Sequence, residues 1–334
     1  MKKFKLTDLD GVGAIKAKKL EGAGINTPLD VIIRGSKEFS RVADIPLESA
    51  EKLLNQIKED MIKSGEVVNI DSVDSLRSFR LQQVKLPTGC SELDKMLHGG
   101  FETQCVYELY GPEGSGKTQI TMSATVEALN AGHYIHFIDC EGTFDLDRLD
   151  QIAAQRGINL NEKKLGYTMI TDSGEFTQFI EKIVPSLIEN NTKFLIVDGM
   201  VGLFRVAYEG RGELYDRQNE IERVLKHLRN IAVYLNCSVL LTNQVQSNPD
   251  PWGEKEKPIG GHVFGHFVKY IIAIKKGMKN NRIARLIKSP RDAMADYPFY
   301  LTDAGVSDTE IAKKKIVEFP EKDLQDKSLL LNND

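Results

Sequence analysis

The sequence predicts an α/β protein with a mostly parallel central sheet that ends in a β meander, preceded by a small all-helical unit. Three observations carry this expectation. Apolar runs near 105–110, 134–139, 167–171, 194–198 and 237–242 alternate with helix-like stretches, the pattern of a parallel sheet with helical crossovers. A glycine-rich octapeptide, Gly111 to Thr118, sits between the first of these runs and a stretch to Ala131 free of Pro and Gly. After Lys269 the period changes, and Tyr270–Lys275 and Arg282–Ile287 read as strands joined by a Gly/Asn turn at 277–281.

Composition narrows the class. With 334 residues there is room for one large core and something small beside it. A net charge of −4 provides no global basic field, so any nucleic-acid contact has to be local. No apolar run reaches membrane length and no signal-peptide pattern is present, so a soluble, cytoplasmic protein without membrane contact is expected. Cys90, Cys105, Cys140 and Cys237 form no C-x-x-C pair and read as reduced core residues; the six histidines have no metal-ligand spacing.

Taken in order, residues 1–65 form the helical unit. Leu9-Asp10-Gly11-Val12-Gly13, followed by the lysine-bearing Ala14–Leu20, resembles a helix-hairpin-helix, with a weaker echo at 42–46 before a helix over 47–63. In that motif a tight turn, here Gly11 and Gly13, offers backbone N–H groups to a DNA phosphate, which binds without regard to sequence. Similar turns also occur in plain helical hairpins. Residues 66–86 are polar and mixed, with isolated Ile70 and Val73, and read as a linker. The core is expected over 87–305 and a charged, solvated tail over 306–334.

The octapeptide Gly111-Pro112-Glu113-Gly114-Ser115-Gly116-Lys117-Thr118 is a complete G-x-x-x-x-G-K-[ST] phosphate-binding loop. A chance match in a chain this long is expected on the order of once in a hundred, before the strand and helix context is required. Its glycines turn N–H groups toward phosphate oxygens, and the helix that starts near Lys117 adds the positive end of its dipole. Lys117 should reach the β and γ phosphates of ATP, and Thr118 should offer its hydroxyl to Mg²⁺. Asp198, closing the apolar run 193–198, is the expected carboxylate for that ion, acting through water. Glu141, two residues past the acid that ends 134–139, is placed to activate the attacking water.

Two segments suit nucleic acid. Arg205, Arg211 and Arg217 flank a Gly-rich stretch after Asp198, in keeping with a loop that pairs with phosphates. A long Pro/Gly segment from Asn248 to His262 carries Lys255, Lys257 and the sole tryptophan, Trp252. Trp252 either anchors its own loop or meets bases or a neighbouring subunit.

These residues resemble the archaeal RadA recombinases and, more distantly, their eukaryotic and bacterial strand-exchange relatives. The resemblance runs over roughly residues 5–305. It is carried by the phosphate loop with Gln119 after it and by Gly100–Gln104, Phe137–Phe144, Phe204-Arg205, Tyr208–Gly212, Thr242–Val245, Pro258–His262 and Arg282–Ile287. It implies a RecA-like ATPase core that binds ATP and Mg²⁺ and assembles with itself as a helical filament or ring. It implies single-stranded and double-stranded DNA as partners, with recombination mediator proteins beside them. Carried over, Arg148 stacks on adenine, Gln244 links the γ phosphate to the second DNA loop, and Gly260 and Gly261 belong to that loop.

The chain departs from the family in three places. Ile70-Asp71-Ser72-Val73 stands where relatives carry an F-x-x-A polymerisation motif, and losing an aromatic anchor could cost a few kcal/mol of interface energy. Lys288–Met294 replaces the acidic, proline-marked segment that caps ATP from the neighbouring subunit, and the ammonium of Lys288 is expected to stand in for a monovalent cation there. Pro112-Glu113 replaces Glu-Phe in the phosphate loop. The leading expectation is a DNA-dependent ATPase and strand-exchange recombinase. The alternative, favoured by Ile70 and Val73, is a non-polymerising regulatory paralogue that keeps the fold and the ATP site.

Overall fold

The computed structural model describes residues 6–9, 11–207, 214–247, 256–260 and 262–310. Arg211, Trp252 and Gly261, named above as DNA-binding, lie outside the described residues, as does the expected tail 306–334 from residue 311 onward; its first residue, Val306, is buried in a strand.

Thirteen strands occur among these residues. They are β1 (Lys85–Leu86), β2 (Phe101–Glu102), β3 (Cys105–Tyr110), β4 (Ile135–Asp139), β5 (Leu165–Met169), β6 (Phe194–Asp198), β7 (Ser238–Asn243), β8 (Val245–Ser247), β9 (Glu256–Pro258), β10 (Tyr270–Lys276), β11 (Asn281–Lys288), β12 (Ala295–Thr302) and β13 (Gly305–Ser307). Nine form one sheet in the order β13-β12-β11-β10-β3-β7-β6-β4-β5. From β10 to β5 every neighbour is parallel, and from β10 to β13 every neighbour is antiparallel, so a meander is stitched to a parallel core. This is the α/β class the sequence predicted.

All six residues of β3 are buried, because both faces of the sheet are covered. Cys105, Tyr107 and Leu109 share a core with Ile120, Ala124 and Ala128 of the helix Lys117–Asn130. Val106 joins the opposite core, with Ile221, Leu225 and Leu228 of the helix Leu214–Tyr234. Burying one such Leu or Ile is worth about 1.5–3 kcal/mol, which outweighs propensity differences of about 0.7 kcal/mol per residue, so the apolar stripe fixes where that helix lies.

Two sequence expectations shift. The strand expected at 167–171 is β5, Leu165–Met169, because its ladder with β4 runs from Ile135↔Leu165 to Asp139↔Met169. The segment 66–86, read as a linker, contains the helix Val73–Leu81, started by a capping box in which the Ser72 and Ser75 side chains serve each other's backbone N–H. That helix buries none of its residues.

The N-terminal helices Ala14–Gly22, Pro28–Arg34, Ser36–Ala43 and Leu47–Lys63 enclose their own core around Leu20, Ile25, Val31, Phe39 and Leu53. They dock on the sheet domain through Arg34, whose guanidinium meets the Glu181 carboxylate at 2.8 Å and donates to the Glu181 carbonyl at 2.9 Å. Asn230 adds a hydrogen bond to the Ile33 carbonyl at 2.8 Å.

Candidate nucleotide site and the adjoining basic cavity

Because β3, β4, β6 and β7 run parallel, their C-terminal ends meet on one edge, the usual place for a ligand in an open α/β sheet. Each ends in chemistry: Gly111 after β3, Asp139 and Glu141 after β4, Asp198 on β6, Asn243 and Gln244 at β7. At this edge lies a cavity of about 650 Å³ lined by Glu113, Gly114, Gly116, Lys117, Thr118, Gln119, Glu141, Thr143, Gln244 and Leu301.

The residues fit a triphosphate. The helix Lys117–Asn130 begins at Gly116, with φ of 104°, and no side chain caps it, so its first N–H groups are left for an anion. Lys117 Nζ donates to the Gly111 and Pro112 carbonyls at 2.9 and 3.2 Å, inside the loop. Burial lowers its pKa, while Glu141, Asp198 and Glu113 pull the other way. The Ser115 hydroxyl is fully buried in the loop with no hydrogen-bond partner.

The residues also fit a hard cation. Thr118 Oγ1 donates to Asp198 Oδ2 at 3.0 Å, which pairs the hydroxyl and the carboxylate that would hold Mg²⁺. Thr242 donates to the other Asp198 oxygen. Burial raises the Asp198 pKa and these two hydroxyls oppose the rise. Among the described residues no group of three or more His, Cys, Asp or Glu could hold a metal unaided, so phosphate oxygens would have to complete such a site.

Glu141 is positioned by two residues the sequence reading did not assign. Asp139, fully buried, accepts backbone hydrogen bonds from Glu141, Gly142, Thr143 and Phe144 at 2.8–3.2 Å and so shapes the turn that carries Glu141. Gly199 has φ of +86°, and a Cβ there would lie 2.2 Å from Glu141 Cγ. The Asp-Gly step after an apolar run was legible; that the glycine makes room for Glu141 was not.

Arg148 donates to Gln119 Oε1 at 2.9 Å and to the Thr302 and Asp303 carbonyls at 2.6 and 3.0 Å. It lines a second hollow of about 310 Å³ with Gln119, Asn280, Leu301 and Thr302. Those last three come from the meander, far along the chain, and no local motif marks them. Lys288 donates to the Gly265 and Val268 carbonyls at 2.6 and 2.9 Å within its own chain, at the C-terminal end of the helix His262–Phe267.

Gln244 connects two spaces. Its Nε2 donates to Glu141 Oε1 at 3.0 Å, and it lines both the cavity above and an adjoining one of about 570 Å³. The second is walled by Glu141, Gly199, Arg205, Arg217, Asn243 and Ile259, among others. Arg205 and Arg217 thus line one cavity. Gly260 follows with φ of +81°, while Gly11 and Gly13 lie far off on the N-terminal unit, exposed and with open space around them.

Fold and site together define a phosphate-loop nucleotide-binding protein with a basic cavity beside the loop. The Rad51 family model matches residues 79–309. The chain is 36% identical to the DNA repair and recombination protein RadA of Cenarchaeum symbiosum over 325 residues, 94% of this chain and 81% of that one. It is 32% identical to the RadA of Aeropyrum pernix (91% and 97% covered) and 35% identical to that of Methanococcus voltae (91% and 99%). The chain belongs to the Rad51/RadA recombinase family. No described helix is long and apolar enough to cross a membrane.

Proposed function

We propose that this chain is an ATP-dependent recombination protein that forms filaments on single-stranded DNA and exchanges its strand with a homologous duplex. The observation that carries this reading is the 3.0 Å contact of Gln244 with Glu141, because it ties the expected catalytic base to a residue that also faces Arg205 and Arg217. The names of its relatives support it.

In this reading Lys117 and the backbone N–H groups of Gly114, Gly116, Lys117 and Thr118 hold the ATP phosphates, and Arg148 and Gln119 take the base side. Thr118 and Asp198 would hold Mg²⁺, which would supply charge compensation for the phosphates. Glu141 takes a proton from the attacking water. Gln244 can bond either Glu141 or a phosphate oxygen, and that choice moves the start of β8. Arg205 and Arg217, with the N-terminal unit 1–65, hold DNA phosphates. Changing Gln244 to Ala should leave ATP binding intact and reduce DNA stimulation of ATP hydrolysis by about 10-fold. Undiminished stimulation in steady-state assays with single-stranded DNA would refute this coupling.

A further inference from the structure

Behind the nucleotide site lies a buried polar pair that the chemistry above does not use. Glu108, on β3, is 0% exposed and Asn243, the last residue of β7, is 1% exposed. Both project to the sheet face that carries Val106, Val239 and Leu241, in the apolar core under the helix Leu214–Tyr234. Asn243 Nδ2 donates to Glu108 Oε1 at 2.7 Å and to the Ile259 carbonyl at 2.8 Å. The Asn243 backbone carbonyl accepts from Gly111 N at 3.2 Å, and Ile259 N donates to the Gln244 carbonyl at 3.1 Å. Asn243 therefore ties Glu108 to the Ile259 carbonyl, just past β9, through its carboxamide, and holds the first residue of the phosphate loop through its backbone carbonyl.

The pair is incomplete in an informative way. Glu108 Oε2 and Asn243 Oδ1 are both buried without a hydrogen-bond partner. An ionised carboxylate would leave only acceptors there, whereas a neutral carboxyl brings a donor to the group. Burial pushes the Glu108 carboxyl up to about 7, against the opposing Asn243 hydrogen bond. A buried carboxyl in an apolar layer costs more than a Leu would unless its polar atoms are satisfied.

We propose that Glu108 is a positioning residue that fixes the Asn243 carboxamide, so that nucleotide at the phosphate loop is transmitted to β8 and to Ile259 at the base of the DNA-facing connection. The role of that connection rests on the recombinase reading; the physical linkage does not.

Hydrogen exchange on the full chain, with and without a non-hydrolysable ATP analogue and Mg²⁺, tests the linkage without DNA. In the natural protein the analogue should slow exchange at Gly114–Thr118 and also at Val245–Ser247 and Ile259. Glu108→Gln, which keeps the shape and a donor, should behave the same. Glu108→Leu, which suits the apolar layer, should keep the first effect and lose at least about 10-fold of the second. The proposal is overturned if Glu108→Leu retains both effects, if Glu108→Gln loses the second, if both vanish together, or if the natural protein shows no effect at β8. Should the linkage hold while the natural protein fails to pair DNA, the recombinase reading falls and this assignment stands.

Discussion

An alanine at position 199 would set its Cβ 2.2 Å from Glu141 Cγ while its backbone stayed at a φ of +86°. Something must move, and the carboxylate is the freer partner. Gly199→Ala should therefore lower ATP turnover by about 10²-fold, the usual scale for a misplaced general base, with ATP affinity nearly unchanged. Turnover within two-fold of the natural protein, about 0.4 kcal/mol in barrier, would contradict the assignment of Glu141. Glu108 permits a second test at this scale. Its folded pKa is raised to about 7 from an ordinary 4.5, burial being the cause and the Asn243 amide the only other contributor. A raised acid binds its proton more tightly when folded, so stability is highest below the unfolded value, falls as pH climbs toward 7, and stays reduced above it. Glu108→Gln removes that loss. The variant should be more stable than the natural protein by roughly 3 kcal/mol at pH 8, and the gap should close toward pH 5. A gap in melting temperature that ignores pH would sink this account. The phosphate loop, Glu141, Asp198 and Arg205 were all legible because each stands in a local pattern of strand end, glycine and charge. Glu108, Asn243 and Gly199 were not, because their roles depend on neighbours brought in from other strands.

Elements were legible wherever period and length agreed. The helix Leu214–Tyr234 and strands β3, β6 and β10 follow from apolar spacing alone. β5 was displaced by two residues because its register is set by β4 rather than by its own residues. The helix Val73–Leu81 was missed because it has no buried face to produce a period; only its Ser72–Ser75 capping box announces it. The docking of the N-terminal helices was invisible because it joins residues far apart in the chain: Ile33 is buried in the core of the sheet domain, and Arg34 adds ionic contacts. Arg34 is 7% exposed and lies within a network of Glu38, Glu181 and Arg223. Removing one member of a buried ionic group typically costs about 3–5 kcal/mol. Arg34→Ala should loosen the N-terminal unit by about 3 kcal/mol and speed proteolytic cleavage between residues 64 and 72, leaving the sheet domain intact. An unchanged cleavage rate would show that the apolar contacts suffice.

At the scale of the whole molecule, the charge is −4, yet the cavity next to the nucleotide site is lined by two arginines. DNA affinity should therefore depend on local basic contacts and on the state of the nucleotide loop, rather than on bulk attraction. Ile70 and Val73 are 45% and 66% exposed. The central claim is that ATP held at Lys117 and Thr118 governs the grip on DNA. Joint-molecule formation between single-stranded DNA and a homologous duplex, compared for the natural protein and Lys117→Ala with ATP and Mg²⁺, tests it most directly. The account predicts ATP-dependent joint molecules from the natural protein and a loss of about 10²-fold or more in the variant, since the lysine is the loop's principal charge on the phosphates. Joint molecules formed equally well by Lys117→Ala would contradict it.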